Sequence, residues 1–175
     1  MLKGWELQLD KCPCDAEFIE WMMLKLRNNT SKEYNIFHMG TGLHHLVGNK
    51  LYPYCNVLGM TYSEEEHKAY IEMAKLRGVL PSMYHVLFGD IHHLNFRLLP
   101  RFDIVTLFHL GEQYEPGTGT ISPDVVLLDF IDILNPDGHI LAYANSAAKD
   151  ISIPLFDNAM ELVEEYKHLR IYKKK

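Results

Sequence analysis

Cysteine is scarce, with three in 175 residues. So small and odd a number in a chain of this size does not build a disulfide framework. Cys12-Pro13-Cys14 is too tight a spacing for a zinc knuckle, and no second pair completes it. Long apolar runs are missing as well. None approaches the roughly 18 residues of a membrane span, and the chain reaches Trp5 and Glu6 without a hydrophobic leader. A cytoplasmic protein with no membrane partner is expected. Basic charge is short too: 17 Lys and Arg stand against 23 Asp and Glu, a net charge of −6. Phosphate binding needs a clustered basic surface, so nucleic acid is disfavoured as the main partner. The one basic run, Lys173-Lys174-Lys175, reads as a solvated tail. No repeat or low-complexity stretch appears. What the chain does have is 47% apolar residues, which excludes a disordered chain and suits one domain over 1–175 with one core.

Alternating periodicities organise that domain. Residues 15–28 predict a helix, with Asp15 as candidate cap and Phe18, Ile19, Met22 and Leu26 along one stripe. Short apolar strands are expected at 35–39, 55–60, 84–89, 103–110 and 139–144. Ser63 and Glu66 form an S-x-x-E capping box that opens a helix closed by Gly78. Ser122 and Pro123 start another, to about Leu134, and Asn135-Pro136-Asp137-Gly138 signals a turn. Residues 154–166 read as a last helix and 168–172 as a last strand. The organisation is an N-terminal helical segment to residue 33, a core over 34–145, and a short C-terminal helix and strand over 146–175. Such alternation predicts a doubly wound α/β domain, a mostly parallel sheet with helices on both faces. Ligands then sit beyond the carboxyl ends of the strands, where strand order reverses.

The segment IFHMGTGLHH puts Gly40 and Gly42 in the tight turn after the first strand. Glycine there allows positive φ and close approach of a ligand to the backbone. On the glycines alone, an ordinary strand-to-helix turn competes with a ligand cradle. As a dinucleotide fingerprint the segment fails, because His45 stands where G-x-G-x-x-G needs its last glycine. A nicotinamide oxidoreductase is disfavoured on that ground.

From residue 34 to 145 the pattern resembles the class I S-adenosylmethionine-dependent methyltransferases. FHMGTGLH is similar to their first motif, an acid followed by G-x-G-x-G, and NVLGMTYSEEEH to their second strand with its ribose-binding acid. LFGDIHHL resembles the third-strand segment whose Gly-Asp faces the adenine. FDIVTLFHLGE resembles the fourth strand, and LLDFIDILNPDGHILAYA the helix, turn and fifth strand that follow. The resemblance implies a Rossmann-like fold and S-adenosylmethionine as cofactor. His38, Gly40, Thr41 and Gly42 would lie at its methionine part, Thr61 and Tyr62 at the ribose, and Asp90 and Ile91 at the adenine. His109 would face the acceptor as a catalytic base, with Glu112 and Tyr114 as substrate contacts.

The departures are specific. His38 stands at the first motif's acid, His44 at its third glycine and Thr61 at the ribose acid; only Asp90 keeps an expected carboxylate. Glu64 or Glu65 could reach the ribose, although as first-turn residues they equally serve the helix dipole. These departures keep open a second function, a catalytically inactive methyltransferase-like binding or regulatory module. Of ten histidines, His38, His44, His45, His92, His93 and His109 fall at or just after strand ends. None shows the H-x-H or H-E-x-x-H spacing that pre-aligns a ligand pair, so no metal is assigned. The loop 111–122 is placed to cover the site, with Tyr114 and Glu115 toward substrate. The family's sheet has seven strands and this chain reads as short of its last hairpin. The edge thus left open makes a homodimer an economical solution. With no appended substrate domain, a small-molecule acceptor is expected.

Overall fold

Strand order decides where a ligand can bind, and the order here is β3-β2-β1-β4-β5-β7-β6. The structure, a computed structural model, describes residues 13–29, 32–76, 83–112 and 114–175. Its strands are β1 (Tyr34–Met39), β2 (Cys55–Thr61), β3 (Tyr84–Phe88), β4 (Phe102–Thr106), β5 (Leu134–Tyr143), β6 (Met160–Tyr166) and β7 (Leu169–Lys174). The first five are parallel, and β7 inserts antiparallel between β5 and β6. In register, Ile36 of β1 faces Val57 of β2 on one side and Ile104 of β4 on the other. The chain winds outward from β1 to β3 and then returns to β4. A crevice therefore opens between β1 and β4 at the carboxyl edge.

Helices α1 (Pro13–Asn28), α2 (Leu46–Leu51) and α3 (Glu64–Leu76) cover one face, while α4 (Pro123–Asp132) and α5 (Lys149–Ala159) cover the other. Alternation along the strands feeds both cores. Ile36 and Ile104 join Phe18, Trp21 and Tyr84 on the first face; Phe37 and Val105 join Phe102 and Phe130 on the second. Phe37 and Phe130 stand 4.7 Å apart by ring centroid, and Phe96 meets Phe130 edge-on at the same distance. Burying each such ring is worth about 1.5–3 kcal/mol. Among the described residues, no helix is long and apolar enough to cross a membrane.

α1 is fastened at its outer side to the β6–β7 hairpin. Trp21 Nε1 donates to Glu164 Oε1 at 2.9 Å, and Lys25 Nζ pairs with Glu164 Oε2 at 2.9 Å. The Tyr166 hydroxyl donates to Glu20 at 2.7 Å, and Lys167 also pairs with Glu20. His168 meets Glu17 through both its backbone N–H, at 2.9 Å, and its ring Nδ1, at 2.8 Å.

The fold class is the expected one, but the C-terminal part differs from its sequence reading. Residues 160–166 are strand β6, not the end of a helix, so the sheet has all seven strands. The helix starts earlier, at Lys149, and holds Pro154 inside it, whereas the sequence reading took Pro154 as its first turn. MELVEEY has its charges spaced ambiguously enough to fit either period. With the hairpin complete, the truncated edge that motivated a homodimer is gone. The outer strand β6 carries Glu161, Glu164 and Glu165, charges that discourage edge pairing. Asp15 lies within α1 and is buried, so it is not a solvent-facing cap. The Asn135–Gly138 turn is an excursion inside β5: Leu134 pairs with Phe102, and His139 with Ile104. The helix end expected at Gly78 lies outside the described residues.

α2 gives a test of this packing. An alanine normally stabilises a helix interior by about 1 kcal/mol over glycine. At Gly48, however, an added Cβ would stand 2.4 Å from Cε2 and Cζ of Tyr84. That ring is fully buried, and its hydroxyl is held at 2.7 Å by His45 Nδ1. Gly48→Ala is therefore expected to destabilise the protein by about 1–3 kcal/mol, the usual range for overpacking. Urea denaturation of the two proteins measures it, and a stabilised variant would overturn the packing described.

Candidate active site

A cavity of about 480 Å³ lies in the crevice at the carboxyl edge, a volume typical of small-ligand sites. Met39 ends β1 and Gly40 follows it, Thr61 ends β2 and Tyr62 follows it, Asp90 and Ile91 follow β3, and His109 and Glu112 follow β4. Gly40 and Gly42 have φ of +81° and +60°, conformations that favour glycine. A Cβ on Gly40 would lie 3.1 Å from His109 Cδ2, so the imidazole packs directly on the glycine backbone. His44, at the resemblance's third glycine, lays its ring over Gly42, with Nε2 2.6 Å from where a Cβ would be.

The side that the resemblance gives to the ribose is built unexpectedly. Thr61 holds the position of the missing acid, and its hydroxyl donates at 2.6 Å to Glu66 Oε2 in the first turn of α3. Thr41 donates to the same oxygen at 3.4 Å. Glu66 itself lines the cavity. Its backbone N–H receives the Ser63 cap at 3.3 Å, as the capping box predicts. The carboxylate, instead of returning to Ser63 N–H, turns inward; Ser63 N–H bonds Thr61 Oγ1 at 3.0 Å. On the side that the resemblance gives to the adenine, Asp90 Oδ1 accepts from His92 N–H at 2.9 Å and Oδ2 pairs with His93 Nδ1 at 2.9 Å. Each carboxylate oxygen carries two lone pairs, so both retain capacity for a ligand amino group.

A second chamber of about 360 Å³ adjoins the first and shares Gly40, Glu66, His109 and Glu112 with it. Cys14 and Asp15 of α1 and Tyr143 of β5 complete its wall. His109 stands between the two chambers. Its Nδ1 is 3.1 Å from Glu112 Oε2, while Glu112 Oε1 accepts from Ser146 Oγ at 2.8 Å and Ala147 N–H at 3.2 Å. Burial pushes the Glu112 carboxyl up, but the bonds from Ser146, His109 and Ala147 outweigh it and the net displacement is downward. An ionised Glu112 fixes the His109 ring with Nε2 toward α1, where Cys14 Sγ lies 4.0 Å away.

Behind the glycine turn sits a buried polar pair. His38 is 1% exposed, contacts Thr106 Oγ1 at 2.7 Å through Nδ1, and stacks on Phe18. Its Nε2 is 3.6 Å from Asp15 Oδ1 and makes no hydrogen bond. Burial, then the nearby His109 and His44, pull the His38 pKa down to about 3, while burial pushes the Asp15 carboxyl up to about 7. Between about pH 3 and 7 both are uncharged, so the contact is not an ion pair despite its distance.

The expected site residues thus divide. Gly40, Thr61, Tyr62, Asp90, Ile91, His109 and Glu112 line the first cavity and Gly42 the second. His38 and Thr41 are buried behind the turn and line neither. Tyr114 turns away, its ring 5.9 Å from that of His92; Glu115, Thr118 and Thr120 are the loop's contribution to the wall. The remaining histidines hold structure. His45 Nε2 donates to Glu66 O at 2.9 Å, and His92 Nδ1 donates to Ile121 O at 2.7 Å. Among the described residues, no group of three His, Cys, Asp or Glu side chains could hold a metal ion.

No protein-family model matches the chain, and no curated protein sequence matches it. Solved structures do. The N-methyltransferase NodS from Bradyrhizobium japonicum WM9, crystallised with S-adenosyl-L-homocysteine, is similar with a TM-score of 0.68 at 16% identity, over 99% of this chain and 93% of that one. The chain has the class I methyltransferase fold. The PH0226 protein from Pyrococcus horikoshii OT3 is similar with a TM-score of 0.60 at 18% identity, over 98% and 94% of the two chains. A ribosomal protein L11 methylase from Lactobacillus delbrueckii subsp. bulgaricus gives 0.55 at 19% identity, over 87% and 76%.

Within this methyltransferase fold, the wall residues that the sequence alone does not place at the site include Cys14, Asp15 and Glu66. Glu66 already had a local explanation in the capping box, and Asp15 and Cys14 reach the site only because α1 packs across β1. Their signal was available in one form: a buried-face carboxylate on a stripe otherwise apolar.

Asp15 carries a pH signature. Between its ordinary value of 3.8 and about 7, only the unfolded chain ionises this carboxyl, so its contribution to stability is full below 3.8 and falls as pH rises to about 7. Some three pH units at about 1.4 kcal/mol each set an upper bound on the order of 4 kcal/mol. Buried His38 acts oppositely, losing stability as pH falls from 6.5 toward about 3. Asp15→Asn is therefore expected to raise the melting temperature relative to wild type more at about pH 7.5 than at about pH 4. Thermal unfolding across that range measures it, and a pH-independent difference between the two proteins would overturn the assignment.

Proposed function

We propose that the protein binds S-adenosylmethionine in the larger cavity and transfers its methyl group to a small-molecule acceptor in the adjoining chamber. The observation that carries this reading is the Glu66 carboxylate in the cavity wall. The resemblance lacks a ribose acid at Thr61, and a carboxylate from α3, tethered to Thr61 at 2.6 Å, stands beside that position. A carboxylate there accepts charge-assisted hydrogen bonds from a diol. The remaining groups fit the same ligand. Asp90 and Ile91 stand where the adenine is expected, and the backbone at Gly40 and Gly42 has positive φ for the methionine part.

When bound, the cofactor supplies an electrophilic methyl on a sulfonium. The chain's own residues do the rest. Tyr62 and the Glu115–Thr120 loop limit water access from the outer side. His109, held by Glu112 between the chambers, takes a proton from an acceptor hydroxyl, amine or thiol. Placement of the acceptor against the methyl provides much of the rate. The size of the second chamber, about 360 Å³, and the net charge of −6 favour a small acceptor over RNA.

Isothermal titration with S-adenosylhomocysteine tests the reading. Micromolar affinity is expected. Glu66→Gln should weaken it about tenfold, the loss of roughly 1.4 kcal/mol from one charge-assisted interaction. Gly40→Ala, strained at φ +81° and crowding His109, should weaken it at least as much. Absence of binding by wild-type protein with a cooperative thermal transition would overturn the cofactor assignment. Binding without methyl release to any amine, phenol or thiol acceptor would favour the inactive-module reading.

A further inference from the structure

Three side chains at the junction of the chambers form a constellation, and methyl transfer to an external acceptor leaves one of them, Cys14, unused. Cys14 Sγ lies 4.0 Å from His109 Nε2, and His109 Nδ1 lies 3.1 Å from Glu112 Oε2. Glu112 is itself fixed by Ser146 and Ala147. That is the order of a nucleophile, its base and the group that orients the base. Cys14 is in the first turn of α1 and lines the second chamber, so its sulfur faces the same space as His109.

We propose that Cys14 is a nucleophilic thiol, with His109 as its proton acceptor and Glu112 as the positioning residue, and that it takes an alkyl group from soft electrophiles held at the chamber junction. In the step, the Cys14 sulfur forms a C–S bond with the alkyl carbon. The bond from that carbon to its leaving group breaks, and the electron pair departs with the leaving group. The thiol proton passes to His109 Nε2. With a haloacetamide the leaving group is halide. With a methyl sulfonium it is a neutral thioether, and the product is S-methylcysteine. The choice of a methyl sulfonium as the protein's own electrophile rests on the cofactor reading above; the thiol chemistry does not. A cysteine thioether is neutral and lacks the sulfonium's leaving group, so the methyl stays. The modification is an end point that fills part of the acceptor chamber.

The groups facing this thiol come from every surrounding element: Asp15 on α1, Glu66 on α3, His109 and Glu112 after β4, and Tyr143 on β5, with His38 of β1 behind the turn. The thiol has a second acceptor in Asp15 Oδ1, at 3.7 Å. Burial holds that carboxyl up to about 7, which keeps a competing anion away from the sulfur below neutral pH. Cys55 is the natural internal control, a thiol that burial pushes up to about 12.

Timed iodoacetamide labelling of Cys12→Ser protein, with peptide mapping by mass spectrometry, tests the proposal. Cys14 is expected to label at least tenfold faster than Cys55. His109→Gln should slow Cys14 roughly 100-fold, the scale of a lost general base. Glu112→Gln should shift the midpoint of the labelling pH profile upward, because the imidazolium formed on His109 loses its carboxylate; a merely structural role would leave the midpoint in place. Equal labelling of Cys14 and Cys55, or labelling indifferent to His109→Gln in folded protein, overturns the proposal. A second arm incubates the protein with S-adenosylmethionine and maps methyl groups. A methyl on Cys14 supports the sulfonium as electrophile. No methyl in a protein that binds S-adenosylhomocysteine overturns that choice, whereas failure to bind S-adenosylhomocysteine strikes the cofactor reading and leaves the iodoacetamide result to decide the thiol chemistry.

Discussion

The 2.6 Å bond from Thr61 to Glu66 ties the site together. Through one residue it joins the end of β2, the glycine turn at Thr41 and the first turn of α3. The Glu66 carbonyl receives His45 Nε2, whose Nδ1 holds the Tyr84 hydroxyl in the core. A cavity wall made of short polar side chains from three elements would not keep its shape unaided. Here each donor has a fixed acceptor, so the carboxylate in the cavity wall also fixes the geometry around it.

The same logic recurs one strand over. The first motif's acid is replaced by His38, and a carboxyl arrives from α1 as Asp15, 3.6 Å away. In both places a strand-end position that the resemblance gives to an acid holds another residue, and an adjacent helix brings a carboxyl beside it. The two cases differ in burial. Glu66 lines an open cavity, whereas Asp15 is 3% exposed and is held near neutrality in its titration. A buried carboxyl without a charged partner costs stability at high pH and is tolerated when something else at the site uses it.

Much of the frame was legible in the chain. Gly40 and Gly42 marked the turn, Asp90 the third strand's end, and His109 the fourth's, because glycine conformation and strand-end position are local properties. The helix–strand alternation fixed the parallel sheet for the same reason. Glu66, Cys14 and Asp15 were not legible, since their roles depend on how helices cross the sheet. The β6 hairpin strand was hidden differently. MELVEEY packs against β7 on one side only, so its apolar signal is halved, and Pro154 drew the reading toward a helix start. His38 and Thr41 matched a motif by position yet face the interior, because strand alternation sends His38 to the α1 side.

The clasp between α1 and the β6–β7 hairpin has a consequence for how the molecule is made. The bonds from Trp21, Glu20 and Glu17 reach partners 143 to 151 residues further along the chain. Synthesis delivers α1 early and its anchors last. Until the hairpin emerges, α1 lacks these anchors, and the chamber wall that carries Cys14 and Asp15 has nothing to brace it from outside. The inner strands and the glycine turn precede the hairpin in the chain, and the wall of the second chamber gains its outer anchors only when β6 and β7 are in place.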